Sequence, residues 1–307
     1  MDRMKSLVKV LISVAATAFS FSANAQQQPM FTQYMFNGLA LNPAYAGSHE
    51  ALSTTAIARV QWVGLDGAPN TQSVSMHTPV PDKNIGIGLL FLRDKIGVTN
   101  QNSLFLSYAY KIKMRKSTLS FGLQGGFNDY SHNLNDLGIG DDNYLAGNIK
   151  SFKPNVGTGI YFNSERFYLG ASLPLLFNSA KDDRVTSFIY SEIKRHYFVS
   201  AGYVFDLNRS LKFKPNLLIK AVEGAPVELD VNANLLINDV FWVGLSYRSF
   251  ESIDVLLELQ VSEQFRVGYS YDILTNDLGR VNSGSHELML NYIFQYSKSR
   301  IVTPRYF

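Results

Sequence analysis

The sequence predicts an all-β protein, a transmembrane antiparallel β-barrel of about fourteen strands with a short N-terminal periplasmic or plugging segment. Three observations lead there. From about residue 53 to 294, residues alternate apolar and polar in segments of roughly ten, as in Phe265, Val267, Tyr269, Tyr271 and Ile273 against Arg266, Gly268, Ser270 and Asp272. The apolar faces are aromatic-rich, the chain holding 17 Tyr and 21 Phe, which suits the interfacial girdles of an outer-membrane barrel. An export signal precedes these segments, with Arg3, Lys5 and Lys9 ahead of an apolar run from Val10 to Phe21 and then Ala23-Asn24-Ala25.

The apolar core of that signal is well under the ~20 residues a spanning helix needs. Residues 1–25 are therefore read as a cleaved signal peptide, and the mature chain as starting at Gln26. No later apolar stretch is long enough for a membrane helix and mean hydropathy is near zero, which excludes a helical bundle in the membrane. The absence of cysteine excludes disulfide staples and thiolate metal sites. A net charge of +3 over 307 residues, with no basic stripe, gives no reason to expect a nucleic-acid partner.

Residues 26–52 form an N-terminal segment unlike the rest. Phe31, Tyr34, Met35 and Leu39 sit at helical spacing, and Asn42-Pro43 stops any helix there. The spacing predicts a short amphipathic element, a helix being possible, and a turn, able to tuck into the periplasmic barrel mouth, the alternative being a disordered leader. Residues 53–294 are the barrel. Its strands are expected near 53–61, 71–77, 85–92, 104–113, 118–127, 153–162, 167–175, 195–206, 211–222, 227–237, 241–248, 253–261, 265–273 and 286–294. Tight turns such as Asn238-Asp239 alternate with longer links at 128–152, 176–194 and 274–285. Barrels of this type keep short turns in the periplasm, which predicts periplasmic locations for the Gln26 segment and for residues 295–307, the C-terminal tail.

Charge fixes which parity faces lipid. A Lys near the bilayer midplane on the lipid face costs about 2–4 kcal/mol. Lys212, Lys214 and Lys220 share one parity, and that cost would take much of a typical stability of about 5–15 kcal/mol, so this parity faces the lumen. On the next strand Glu228, Asp230, Asn232 and Asn234 share the lumenal parity, which predicts cross-strand pairs with those lysines. Arg248, Asp254, Glu258, Arg266 and Asp272 are lumenal on later strands. These charges read either as a permeation path or as mutually neutralising linings of a plugged lumen, and the second is the expectation. Pro215, inside a strand, predicts a local bulge or weak pairing. Glycines at 86, 88, 122, 126, 157, 159 and 170 are expected to allow curvature or close packing of the N-terminal segment against the wall. Trp62 is read as an interface anchor or loop-packing residue, and Trp242 as filling lumenal space.

Specific motifs carry a resemblance. Gln33-Tyr34-Met35-Phe36-Asn37 is followed by Leu41-Asn42-Pro43-Ala44-Tyr45-Ala46-Gly47, then Arg59 with Gln61-Trp62, then Gly67-Ala68-Pro69-Asn70-Thr71. Later come Gly268-Tyr269-Ser270-Tyr271-Asp272, Ser283-Gly284-Ser285-His286-Glu287 and the ending Pro304-Arg305-Tyr306-Phe307. With these the chain resembles the PorP/SprF family of outer-membrane proteins in the type IX secretion and gliding-motility systems of the Bacteroidetes. Leu41 stands where Ile is expected, a conservative departure.

The resemblance implies an outer-membrane barrel that works with the type IX translocon and its periplasmic ring. It also implies partnership with secreted cargo, including large adhesins, bearing a C-terminal targeting domain. It brings no catalytic residues, cofactor or metal. Tyr34, Met35, Asn37, Asn42, Pro43, Ala44, Tyr45, Gly47, Gln61, Trp62 and Pro69 are its motif residues, structural or partner-binding in role. The long links 128–152 and 176–194 are the expected cargo-facing surface. A different reading, a passive or substrate-specific transporter, is compatible with the same lumenal charges.

Catalytic and metal signals are weak. Five histidines are scattered and no Gly-x-Ser-x-Gly elbow occurs, although Ser283, Ser285 and His286 lie close in sequence. Asp136, Asp141, Asp142 and Asn143 form an acidic stretch that lacks the EF-hand pattern and is read as a solvated loop.

Overall fold

A strand with two unlike faces must put one against lipid and one against something polar, and a sheet in a bilayer must leave no unpaired edge. Both conditions are met in a computed structural model of the protein, which describes residues 28–49, 51–133, 148–178 and 194–294. The signal peptide, the acidic stretch around Asp141 and the C-terminal tail lie outside the described residues.

The strands are β1 (Leu52–Val60), β2 (Asn70–Pro79), β3 (Ile85–Ile96), β4 (Thr99–Lys113), β5 (Ser117–Asn133), β6 (Asn148–Ser164), β7 (Phe167–Leu173) and β8 (His196–Tyr203). They continue with β9 (Phe205–Asp206), β10 (Leu211–Val222), β11 (Glu228–Ile237), β12 (Phe241–Arg248), β13 (Ser252–Gln260), β14 (Phe265–Leu274) and β15 (Ser285–Phe294). Neighbours pair antiparallel in chain order, and β15 also pairs with β1, from Leu52 opposite Phe294 to Val60 opposite His286, closing the cylinder.

The two-residue β9 extends β8. Gly202 opposes Asn216 and Phe205 opposes Phe213, which is one register on β10. The break between them lies beside Pro215, which has no N–H to donate. On its other side β10 pairs with β11 without interruption from Leu211 opposite Ile237 to Lys220 opposite Glu228. Pro215 therefore interrupts one ladder and creates no bulge, and the barrel has fourteen staves with β8 and β9 counted as one.

Outward positions carry the lipid-facing apolar surface, such as Leu106, Leu123, Ile160 and Leu245, all exposed. Aromatic rings gather at the turn end, where Tyr203 and Phe205 lie 4.5 Å apart and Tyr292 and Phe294 4.6 Å apart. Hairpin β5–β6 is paired as far as Asn133 opposite Asn148, so much of the expected 128–152 link is strand. Its 17-residue strands exceed the roughly 9–11 residues needed to span, and the excess lies at the loop end. The weak alternation there, Asn128 to Asn133, hid the extension in the sequence.

The N-terminal segment departs most from expectation. It forms no α-helix but three 3-10 turns, Tyr34–Phe36, Gly38–Ala40 and Pro43–Tyr45, the last capped by the Asn42 side chain accepting from the Ala44 N–H. Nor does it stop at the periplasmic mouth. Gln28 donates its backbone N–H to His196 Nε2 at the first residue of β8, at the loop end, whereas Gly47 N–H reaches His77 Nδ1 near the turn end. Short turns mark the periplasmic side, so residues 28–48 run the length of the lumen from its outer mouth to its inner one. The parity argument had no bearing on this segment, because it is not a strand.

The wall makes room for this plug with missing side chains. A Cβ on Gly122 would lie 2.1 Å from the Ala44 nitrogen, and one on Gly86 2.0 Å from the Ala46 carbonyl oxygen. Positions 88, 159 and 170 also face the plug, whereas 126 and 157 abut the Leu104 and Pro174 carbonyls and serve wall packing instead.

Gly122→Val should dislodge the plug and leave the barrel, while Gly125→Val, where a Cβ meets nothing within 4 Å, should be silent. Overpacking of this kind costs about 1–3 kcal/mol. Protease cleavage between residues 28 and 48 in folded, heat-modifiable protein distinguishes the two variants.

Candidate functional site

Inside the cylinder, one cluster joins the plug to the barrel seam. Arg59 on β1 and Glu287 on β15 are opposed in register where the first and last strands meet. Arg59 Nη1 lies 2.7 Å from Asp272 Oδ2 on β14 and 3.3 Å from Glu287 Oε2, with all three side chains buried. The plug completes the cluster. Thr32 Oγ1 accepts from Arg59 Nη1 at 2.8 Å and donates to Asp272 at 2.9 Å. The backbone N–H groups of Thr32 and Gln33 each donate to a Glu287 carboxylate oxygen at 2.9 Å. Two carboxylates around one guanidinium are thus satisfied by donors the plug supplies, as charged groups this deeply buried require.

A second group surrounds Phe36. Lys214 Nζ stands 5.0 Å from its ring centre and the Arg266 guanidinium carbon 5.7 Å, with Trp242 edge-on at 6.0 Å. Two cations within 6 Å of one ring centre hold the plug by cation–π attraction. Arg266 Nε also lies 3.0 Å from Glu258 Oε1.

Most other lumenal charges pair across strands, whereas Asp254, buried opposite Asp272, has no hydrogen-bond partner for either carboxylate oxygen among the described residues. Lys220 meets its register partner Glu228 at 2.6 Å, and Arg248 Nε lies 3.1 Å from Asp230 Oδ2. Lys212 pairs with Asp239 in the β11–β12 turn. Lysine to acid pairing thus occurs on β10 and β11 at Lys220, whereas Lys214 turns inward to the plug.

Eight motif residues lie in the plug, and they contact different parts of the wall. Asn37 Oδ1 accepts from Ser75 on β2 at 2.6 Å, and Asn42 Nδ2 donates to the Ile160 carbonyl on β6 at 2.9 Å. Tyr45 packs edge-on against Tyr161 at 5.3 Å, and Lys111 Nζ donates to the Gly47 carbonyl. Tyr34, Met35, Pro43 and Ala44 are buried between these anchors. Gln61, Trp62 and Pro69 are elsewhere, in the β1–β2 connection at the loop end, where Gln61 N–H donates to the Pro69 carbonyl.

Sequence reasoning left out Thr32, Gln33 and Glu287 as contacts. The lysine argument made for β10, repeated on β1 and β15, would have put Arg59 and Glu287 in the lumen. Thr32 carried no such signal. Ser285 is lumenal whereas His286 is on the opposite parity and hydrogen-bonds Tyr269 at 2.6 Å, so these two side chains form no nucleophile–base pair. Among the described residues no group of His, Cys, Asp and Glu is arranged to hold a metal ion.

The profile of a membrane protein family, described as type IX secretion system membrane protein PorP/SprF, matches residues 23–292. The chain belongs to the PorP/SprF family. Family membership makes it an outer-membrane barrel of the type IX secretion system. No curated protein gives a significant match. Among solved structures it is similar to Omp33 of Acinetobacter baumannii at 6% identity, covering 80% of this chain and 98% of that one with a TM-score of 0.47. A FadL homologue of Pseudomonas aeruginosa is similar at 12% identity, 89% and 96% coverage and a TM-score of 0.44. What separates this PorP/SprF protein from a plain cylinder is the plug of residues 28–48 inside its lumen.

Arg59→Met leaves Asp272 and Glu287 buried without their cation, and breaking such a cluster costs about 3–5 kcal/mol. The urea midpoint of the folded barrel should fall accordingly. Adding Asp272→Asn and Glu287→Gln to Arg59→Met should restore at least half of the loss.

Proposed function

We propose that this PorP/SprF barrel is a docking partner for the export or surface attachment of adhesin-like cargo proteins with C-terminal targeting domains, in company with translocon or periplasmic ring components. Cargo engages the loop end from outside and does not pass through the lumen. The observation that carries this reading is the plug: residues 28–48 traverse the lumen and are hydrogen-bonded to strands on several sides of the wall, including β2, β6, β8 and β15. A lumen crossed by its own chain and lined largely by paired charges suits a surface that binds better than a path that conducts. The long extracellular connections and the extended β5–β6 hairpin supply that surface. The motif residues of the plug act as structural anchors, and Gln61, Trp62 and Pro69 face the partner side.

The transporter reading makes the opposite demand, a continuous aqueous path. Purified protein in a planar bilayer should show negligible conductance, and a variant lacking residues 28–48 should conduct if the barrel still folds. Steady conductance of the intact protein would favour the transporter. Mild-detergent purification from the native outer membrane should retain a secreted protein's C-terminal domain, identified by mass spectrometry. A photoreactive residue in place of Glu258, deep in the lumen, should not label that cargo; labelling there in place of the outer loops would overturn docking from outside.

A further inference from the structure

Above the Arg59 cluster, at the loop end, the lumen opens into a cup of about 510 Å³, within the range of specific ligand sites. Its floor includes Pro29 and Met30 of the plug. Two aromatic residues in its wall, Trp62 and Phe250, have positive φ of 49° and 65°. Bulky residues rarely adopt that conformation, and backbone strain of this kind collects at binding sites. Phe250 presents a largely exposed ring, in the connection between β12 and β13.

The charged groups that line the cup are mostly acidic. Asp94, Glu228, Arg248 and Glu251 line it. Arg248 is shared between Asp230 and Glu251, and Glu228 is paired with Lys220. Among the described residues, the lining therefore holds three carboxylates against one cation, and the pairs Asp230 and Lys220 behind it leave that excess of two negative charges unchanged. In the same wall the Trp62 indole Nε1 and Arg248 Nη2 are buried donors, and Gln28 Oε1 a buried acceptor, without a hydrogen-bond partner among the described residues. Unmet buried donors call for acceptors.

Excess acid calls for a cation, exposed aromatic faces accept both cations and apolar side chains, and orphan N–H donors match backbone carbonyls. We propose that the cup binds an extended segment of a secreted protein in which a Lys or Arg neighbours an apolar side chain. The basic group sits against Glu251 and Asp94, and the apolar one against Phe250 and Met30. This rests on the docking reading above and gives it a site and a peptide chemistry.

The test uses full-length protein in its native outer membrane, with p-benzoylphenylalanine replacing either Phe250 in the cup or the exposed Val281 in the β14–β15 connection, outside the cup. The expected result is a crosslink from position 250 to a secreted protein, mapped to a peptide with a basic residue beside an apolar one. Its yield should fall at least five-fold when Glu251→Gln and Asp94→Asn are combined, with heat-modifiability confirming that the variant is folded. An acidic mapped peptide, a yield indifferent to the two substitutions, or crosslinks from position 250 only to this chain's own loops would each overturn the proposal. Crosslinks to a secreted protein from position 281 but none from 250 would overturn the cup and leave docking standing. None from either position would overturn both.

Discussion

A buried guanidinium at the line where the first strand meets the last organises this molecule. Arg59 faces Glu287 across the closing seam, and Asp272 of the adjacent strand completes its coordination. Without the plug, the two carboxylates would outnumber their single cation in a site with little water. Thr32 and Gln33 remove that deficit by supplying a hydroxyl and two backbone N–H groups. Closing the barrel and filling it are therefore coupled through one set of hydrogen bonds. The small residues facing the plug follow from this, since a chain held against the wall at one end can follow it closely only where side chains are missing.

The plug has a physical economy of its own. An unattached peptide would lose translational freedom on entering the barrel, whereas residues 28–48 are continuous with β1 and lose only internal freedom. Three 3-10 turns suit such a narrow passage better than an α-helix, whose diameter with side chains is about 10–12 Å. The turns also direct successive side chains to different parts of the wall, Phe36 toward Trp242 and Tyr45 toward Tyr161.

Much of the barrel was legible because its information is local. Period-two alternation in Phe265–Ile273 or Leu211–Val222 states both the element and the face, and lysines on one parity state which face is wet. Where side chains no longer alternate, as beyond Asn128, the strand continues by pairing alone and the sequence is silent. The plug was legible in composition but not in path. The spacing of Phe31, Tyr34, Met35 and Leu39 marked an ordered apolar element, yet its direction depends on Thr32 reaching residues some 240 positions away. Pro215 marks a disturbance in the sequence, but only the ladder on each side decides whether a proline bends a strand or merely costs it one partner.

Fourteen staves by themselves return a chain to the face of the membrane where it began. The inner segment adds one more passage before β1, so residue 28 and residue 294 stand on opposite faces. The chain thus has a vectorial sense that an even-stranded cylinder lacks: residue 28 looks outward to the cell's surroundings, and the last strand ends toward the periplasm.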